Sequence, residues 1–179
     1  FKFRCFTPKY RIGAATTNPA SGPAIPISNI CLRFARMPSM LMTAPIVPID
    51  RAAARDLGDA RRHRGPTIIA LWSTECLYCK RNLKLFADMQ RRSPNLRVIT
   101  VATEPWSPAL AAPLDRLKIR GDRYAYGDDM PEAVAYAIDP QWRGALPHTL
   151  FFDGRGGRTA MTGIVDEAAA SHALGIAQR

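Results

Sequence analysis

Cys76-Leu77-Tyr78-Cys79 limits what this chain can become more than any other feature, because of where the pair sits. Before it runs Pro66-Thr67-Ile68-Ile69-Ala70-Leu71-Trp72, which is apolar, β-branched and short enough for a buried strand. After it runs Lys80-Arg81-Asn82-Leu83-Lys84-Leu85-Phe86-Ala87-Asp88-Met89-Gln90, with Leu83, Phe86, Met89 and Gln90 at helical spacing. The two cysteines therefore stand where a strand ends and a helix begins. A helix start offers unpaired backbone N–H groups and the positive end of the dipole. Both favour the thiolate, the species that attacks disulfides. Two cysteines with two residues between them can bridge, and the second can resolve a mixed disulfide.

A C-x-x-C pair is also half of a zinc site. Cys5 and Cys31 lie too far apart in sequence to supply the other half, and His63, His148 and His172 are scattered. A soft-metal site, for Cu(I) or as a copper chaperone module, would draw on Cys76, Cys79 and His148. From these residues alone a redox pair, a metal site and inert cysteines all stay open.

Trp72-Ser73-Thr74-Glu75-Cys76-Leu77-Tyr78-Cys79-Lys80 resembles the thioredoxin active-site segment, W-x-x-W-C-x-x-C-K, and is similar to the TlpA/ResA-type branch of bacterial thiol–disulfide oxidoreductases. Downstream, Gly144-Ala145-Leu146-Pro147-His148-Thr149-Leu150-Phe151-Phe152-Asp153-Gly154-Arg155-Gly156-Gly157 resembles that family's G-x-P-x-T-x-x-x-D-x-x-G stretch. The resemblance covers residues 44–178. It implies an α/β thioredoxin-like three-layer sandwich with a central mixed β-sheet over residues 45–179. Cys76 is then the nucleophile and Cys79 the resolving thiol. Pro147 follows a cis peptide bond, Leu146–Pro147, and faces the cysteines. Trp72, Glu75, Tyr78 and His148 are auxiliary, and no metal or cofactor is called for. The resemblance further implies disulfide- or dithiol-bearing substrate proteins and an upstream membrane or soluble thiol partner. It also implies a bacterial periplasmic or membrane-facing extracytoplasmic site, and a monomer.

The chain departs from that pattern. Glu75 stands where Trp is usual, and the dipeptide Leu77-Tyr78 lacks a proline. Ala70 occupies the strand position, six before Cys76, that often holds a buried Asp or Asn. Deprotonation of Cys79 must then use water or another group such as Glu75.

The net charge of +10 invites a nucleic-acid reading, but its distribution argues against one. Residues 1–64 hold 11 Lys/Arg against 3 Asp/Glu, while residues 65–179 hold 14 against 12. The basic excess thus lies outside the motif-bearing region, where no basic and aromatic stripe stands out. Residues 1–44 are interrupted by Pro8, Pro19, Pro23, Pro26 and Pro38 and read as a disordered or non-native extension. Cys5 and Cys31 could bridge there, with free or non-native thiols the favoured expectation. The opening on Phe1 suggests a fragment, a processed product or an upstream frame error. Arg33 and Arg36 before 37–45 faintly resemble an export signal. No apolar run approaches the roughly 18 residues of a membrane-spanning helix.

From 44 onward the expected elements alternate. A short edge strand spans 44–49, and a helix capped by Asp50 runs to about 62. The strand to 71 and the cysteine helix to about 92 follow. A central strand spans 96–102, and helices cover 109–118 and 131–137. Strands at 150–152 and 159–163 form a hairpin, and a last helix capped by Asp166 reaches about 177. Trp72 is expected to combine shielding of the thiols with filling of the core. Tyr78 is expected exposed, Trp106 and Trp142 packed, and His148 at the surface.

Overall fold

The computed structural model describes residues 44–177. The expectations on the proline-rich segment before 44, its export signal, and Cys5 and Cys31 lie outside the described residues. Strand β2 (Thr67–Trp72) is buried at all six positions. A strand buried on both faces needs partners on both edges and cover above and below. It pairs in parallel with β3 (Arg97–Pro105) on one side and antiparallel with β5 (His148–Phe152) on the other. The sheet has six strands in the order β1-β4-β3-β2-β5-β6, where β1 is Ile46–Ile49, β4 is Arg123–Tyr126 and β6 is Arg158–Thr162. β1, β4, β3 and β2 run parallel, and β5 and β6 run against them. β1 lies at the edge, where Pro48 removes no needed ladder bond.

Alternation along β2 sends its side chains into two separate cores. Ile68, Ala70 and Trp72 join Leu83 and Phe86 of α2 (Leu77–Arg92), Leu114 of α3 (Ala111–Leu117) and Leu174 of α5 (Glu167–Leu174). Ile69 and Leu71 join Ala54 of α1 (Arg51–Gly58) and Val134 and Ile138 of α4 (Pro131–Ile138). Helices thus cover both faces of a mixed sheet, which is the expected three-layer thioredoxin-like sandwich. Phe86 meets Phe151 of β5 edge to face, with ring centroids 6.0 Å apart, and docks α2 on the sheet.

Asp50 and Asp166 cap α1 and α5, accepting from Ala53 N–H at 2.8 Å and Ala169 N–H at 2.7 Å. Both helices stop earlier than their patterns suggest. α1 ends at Gly58, and Asp59 caps a separate 3₁₀ turn, Ala60–Arg62, through Arg61 N–H at 3.0 Å. α5 ends at Leu174, where Gly175 takes the left-handed conformation at φ 62°. The stretch 109–118 divides into a 3₁₀ turn, Pro108–Leu110, and α3. β4 is a strand that the sequence pattern does not announce.

Gln90 fixes the far end of α2. Its amide is buried, donates to Arg120 C=O at 2.5 Å and accepts from Arg120 N–H at 2.9 Å. That pair ties the helix to the turn entering β4. Gln90→Ala leaves both Arg120 groups without this partner, and a loss of about 1–3 kcal/mol is expected. The test is the urea midpoint of the full chain. An unchanged midpoint would show that water replaces the pair at no cost.

Candidate active site

β2 delivers the chain to Trp72, and a turn over Thr74 and Glu75, closed by Cys76 N–H donating to Ser73 C=O at 3.3 Å, leads into α2. Glu104, at the end of β3, holds that turn. Its carboxylate accepts from Thr74 N–H at 2.6 Å and from Thr74 Oγ1–H at 3.1 Å. Beside it, Thr103 Oγ1–H donates to Trp72 C=O at 3.3 Å. β2 and β3 are parallel neighbours, so both of their carboxyl ends meet here.

Cys76 is the N-cap of α2, and its Sγ accepts from Cys79 N–H at 3.0 Å. Cys76 and Cys79 are joined as a disulfide. Cys76 is half-buried, whereas Cys79 is only 1% exposed and belongs to the apolar cluster of Ala70, Trp72 and Leu83. Leu77 and Tyr78 between them are 74% and 57% exposed. A reduced Cys76 sulfur in this place keeps the N–H donor and the positive helix end, both of which favour negative charge. Cys79 lies among apolar side chains, which favour the neutral thiol. The two sulfurs are therefore chemically unequal.

Other expected site residues are distributed differently. Trp72 lies in the core, 1% exposed, in the apolar cluster that encloses Cys79, and its buried Nε1 has no hydrogen-bond partner among the described residues. Glu75 and Tyr78 are exposed beside the pair. Pro147 is buried, and the Leu146–Pro147 bond is cis. Leu71 pairs with His148, so Pro147 enters β5 at the end of β2 from which the cysteine turn departs. Trp106, expected to pack, is 57% exposed because it follows Pro105 off the end of β3.

His148 requires a correction. It is buried, not at the surface, and alternates with Leu150 and Phe152 onto the sheet face opposite the Cys79 cluster. Both ring nitrogens have partners: Nε2 meets Asp139 Oδ2 at 2.8 Å, and Nδ1 meets Thr162 Oγ1 at 2.8 Å. Trp142 stacks on the ring at 5.2 Å. Among the described residues, no three His, Cys, Asp or Glu side chains are grouped to hold a metal ion. The copper reading thus loses its third ligand.

No protein-family model matches the chain, and no curated protein matches it. Solved structures do share its fold. A DsbF protein from MTB, in mixed oxidized and reduced forms, is 14% identical with a TM-score of 0.50, over 74% of this chain and 98% of that one. A thiol-disulfide isomerase from Corynebacterium glutamicum is 16% identical with a TM-score of 0.50, over 63% of this chain and 80% of that one. The likeness is one of fold: thioredoxin-like α/β, with a mixed six-stranded sheet and five helices.

Burial pushes the His148 imidazolium down, against the opposing pull of Asp139. Burial also pushes Asp139 up, but hydrogen bonds from Arg158, His148 and the Gln141 N–H outweigh it and hold the carboxyl below its usual range. Arg158 at 2.9 Å already balances the carboxylate. We therefore assign a neutral His148 that donates Nε2–H to Asp139 and accepts from Thr162 O–H. His63 is likewise pushed down by burial, with Leu57 C=O at 2.8 Å from its Nε2. Both histidines fall below the ordinary 6.5, so the unfolded chain binds more protons in acid. Their stabilisation is complete above about pH 6.5 and is lost as pH falls below it. Denaturant midpoints should therefore fall between pH 7.5 and about 5.5, and His148→Gln should flatten part of that slope. A midpoint constant over this window would contradict the neutral assignment.

Proposed function

We propose that this protein is a thiol–disulfide oxidoreductase whose working group is the Cys76–Cys79 pair. One observation carries the reading: the Cys76 sulfur caps α2, accepts from Cys79 N–H at 3.0 Å and is bonded to the buried Cys79. In the reduced protein the Cys76 thiolate attacks one sulfur of a substrate disulfide. The Cys76–substrate S–S bond forms, the substrate S–S bond breaks, and the leaving thiolate takes a proton. Cys79 then gives its proton to water and attacks Cys76 Sγ. The internal disulfide forms and the second substrate thiolate leaves and is protonated. Two electrons pass from protein to substrate, and the two protons the substrate sulfurs take up come through water, one of them replaced by the proton Cys79 releases.

The surroundings support separate roles. Ala70 offers no carboxylate beneath Cys79, and Glu75 is exposed, so water is the proton acceptor we assign. Leu77 and Tyr78 present apolar surface beside the reacting sulfur to a polypeptide substrate. In our reading Pro147 lines the groove that receives an extended substrate segment, a form of strand addition. The proposal extends to a TlpA/ResA-type, monomeric protein working in an extracytoplasmic compartment and re-poised by a membrane or soluble thiol partner. The paired motifs around Cys76 and Pro147 support that assignment.

Limited alkylation of the reduced full chain, mapped by mass spectrometry, should label Cys76 before Cys79. Cys79→Ser should accumulate mixed disulfides through Cys76, and Cys76→Ser should not. Preferential labelling or trapping at Cys79 would reverse the roles.

A further inference from the structure

Asn82 lies one turn beyond Cys79, on the buried face of α2, and is 2% exposed. A buried amide on an apolar helix face is costly unless its groups are paired. Asn82 spends both ends of its side chain on one segment 81 and 83 residues away. Its Nδ2–H donates to Gly163 C=O at 3.0 Å, and its Oδ1 accepts from Val165 N–H at 3.1 Å. The same Gly163 peptide unit reaches the other way, its N–H donating to Pro147 C=O at 2.8 Å. Gly163 sits at φ 104°, a conformation that side-chain-bearing residues rarely adopt. A continuous path therefore runs from the cysteine helix through Asn82 and Gly163 to Pro147.

We infer that Asn82 is a positioning residue that holds the groove at Pro147 in register with the cysteines through the Gly163 peptide. The inference rests on the exchange reading of Cys76–Cys79 and deepens it. The apolar packing of α2 on the sheet has no preferred direction of its own. Hydrogen bonds do, and they connect the nucleophile's element to the substrate's. A substrate that must occupy the Pro147 groove depends on that register. A small disulfide that meets only the sulfur does not.

The test compares two substrates on the full-length protein. Asn82→Leu keeps the approximate size of the side chain and removes both hydrogen bonds. Its kcat/KM for reducing insulin disulfides should fall on the order of tenfold, as for a modest misplacement of a reacting pair. The rate at which its Cys76 reacts with Ellman's reagent should stay within about twofold of wild type, a smaller change than one lost hydrogen bond gives. Equal losses with both substrates would reduce Asn82 to a structural role and overturn the inference, as would no loss with either. A wild type that leaves insulin intact would remove the exchange reading itself, and that result appears before any substitution is made. If Asn82→Leu fails to fold, amide exchange in the wild type decides. Gly163 and Val165 should both be protected, and exchange of either at the rate of an open loop overturns the bridge.

Discussion

The hydrogen bond from Cys79 N–H to the Cys76 sulfur is the contact around which the rest of this structure is arranged. A helix start leaves amide donors without partners, and here a cysteine takes the place more often filled by Ser, Thr, Asp or Asn. The cap needs the helix held at both ends and the incoming turn held still. Gln90 anchors the far end of α2 at Arg120, and Asn82 anchors the near end at Gly163. Glu104 grips Thr74 in the turn. These polar ties come from three separate parts of the chain, the loop before β4, the end of β3 and the segment after β6, and they meet on α2 and the turn that leads into it.

The disulfide pair is asymmetric by construction. Cys76 is partly accessible and faces donors. Cys79 is enclosed with Ala70, Trp72 and Leu83. Ala70 places no carboxylate in the cluster around Cys79, and in the proposed exchange Cys79 is the buried sulfur that reacts second. That order suits a two-step exchange, in which the second sulfur should react only after the first has been captured.

Much of this was legible locally. The β-branched run of β2, the apolar stripe of α2, and the Asp50 and Asp166 caps are patterns of neighbouring residues, and the structure follows them. What escaped depends on distant partners. β4 is four residues long, Arg-Tyr-Ala-Tyr, and reads as polar. Arg123 is nonetheless buried, because Asp115 and the Ile119 carbonyl meet its guanidinium. His148 is buried because Asp139, Thr162 and Trp142 surround it, and none of them is within five residues of it in sequence. Glu104 gains its role only when β3 lies beside β2. Asn82 did leave a trace: it falls on the apolar stripe between Cys79 and Phe86, where a polar residue requires a partner. The sequence does not say that the partner is Gly163.

In the proposed function Cys76 and Cys79 exchange their bond with that of another protein. The most direct measurement is a single turnover without any other thiol. Fully reduced full-length protein is mixed with insulin, and every cysteine of both proteins is mapped by mass spectrometry over time. The Cys76–Cys79 disulfide should appear in step with the loss of insulin disulfides, one for one, and Cys76→Ser should abolish the transfer. Insulin disulfides that stay intact, or that are lost equally well in Cys76→Ser, would contradict the proposed exchange.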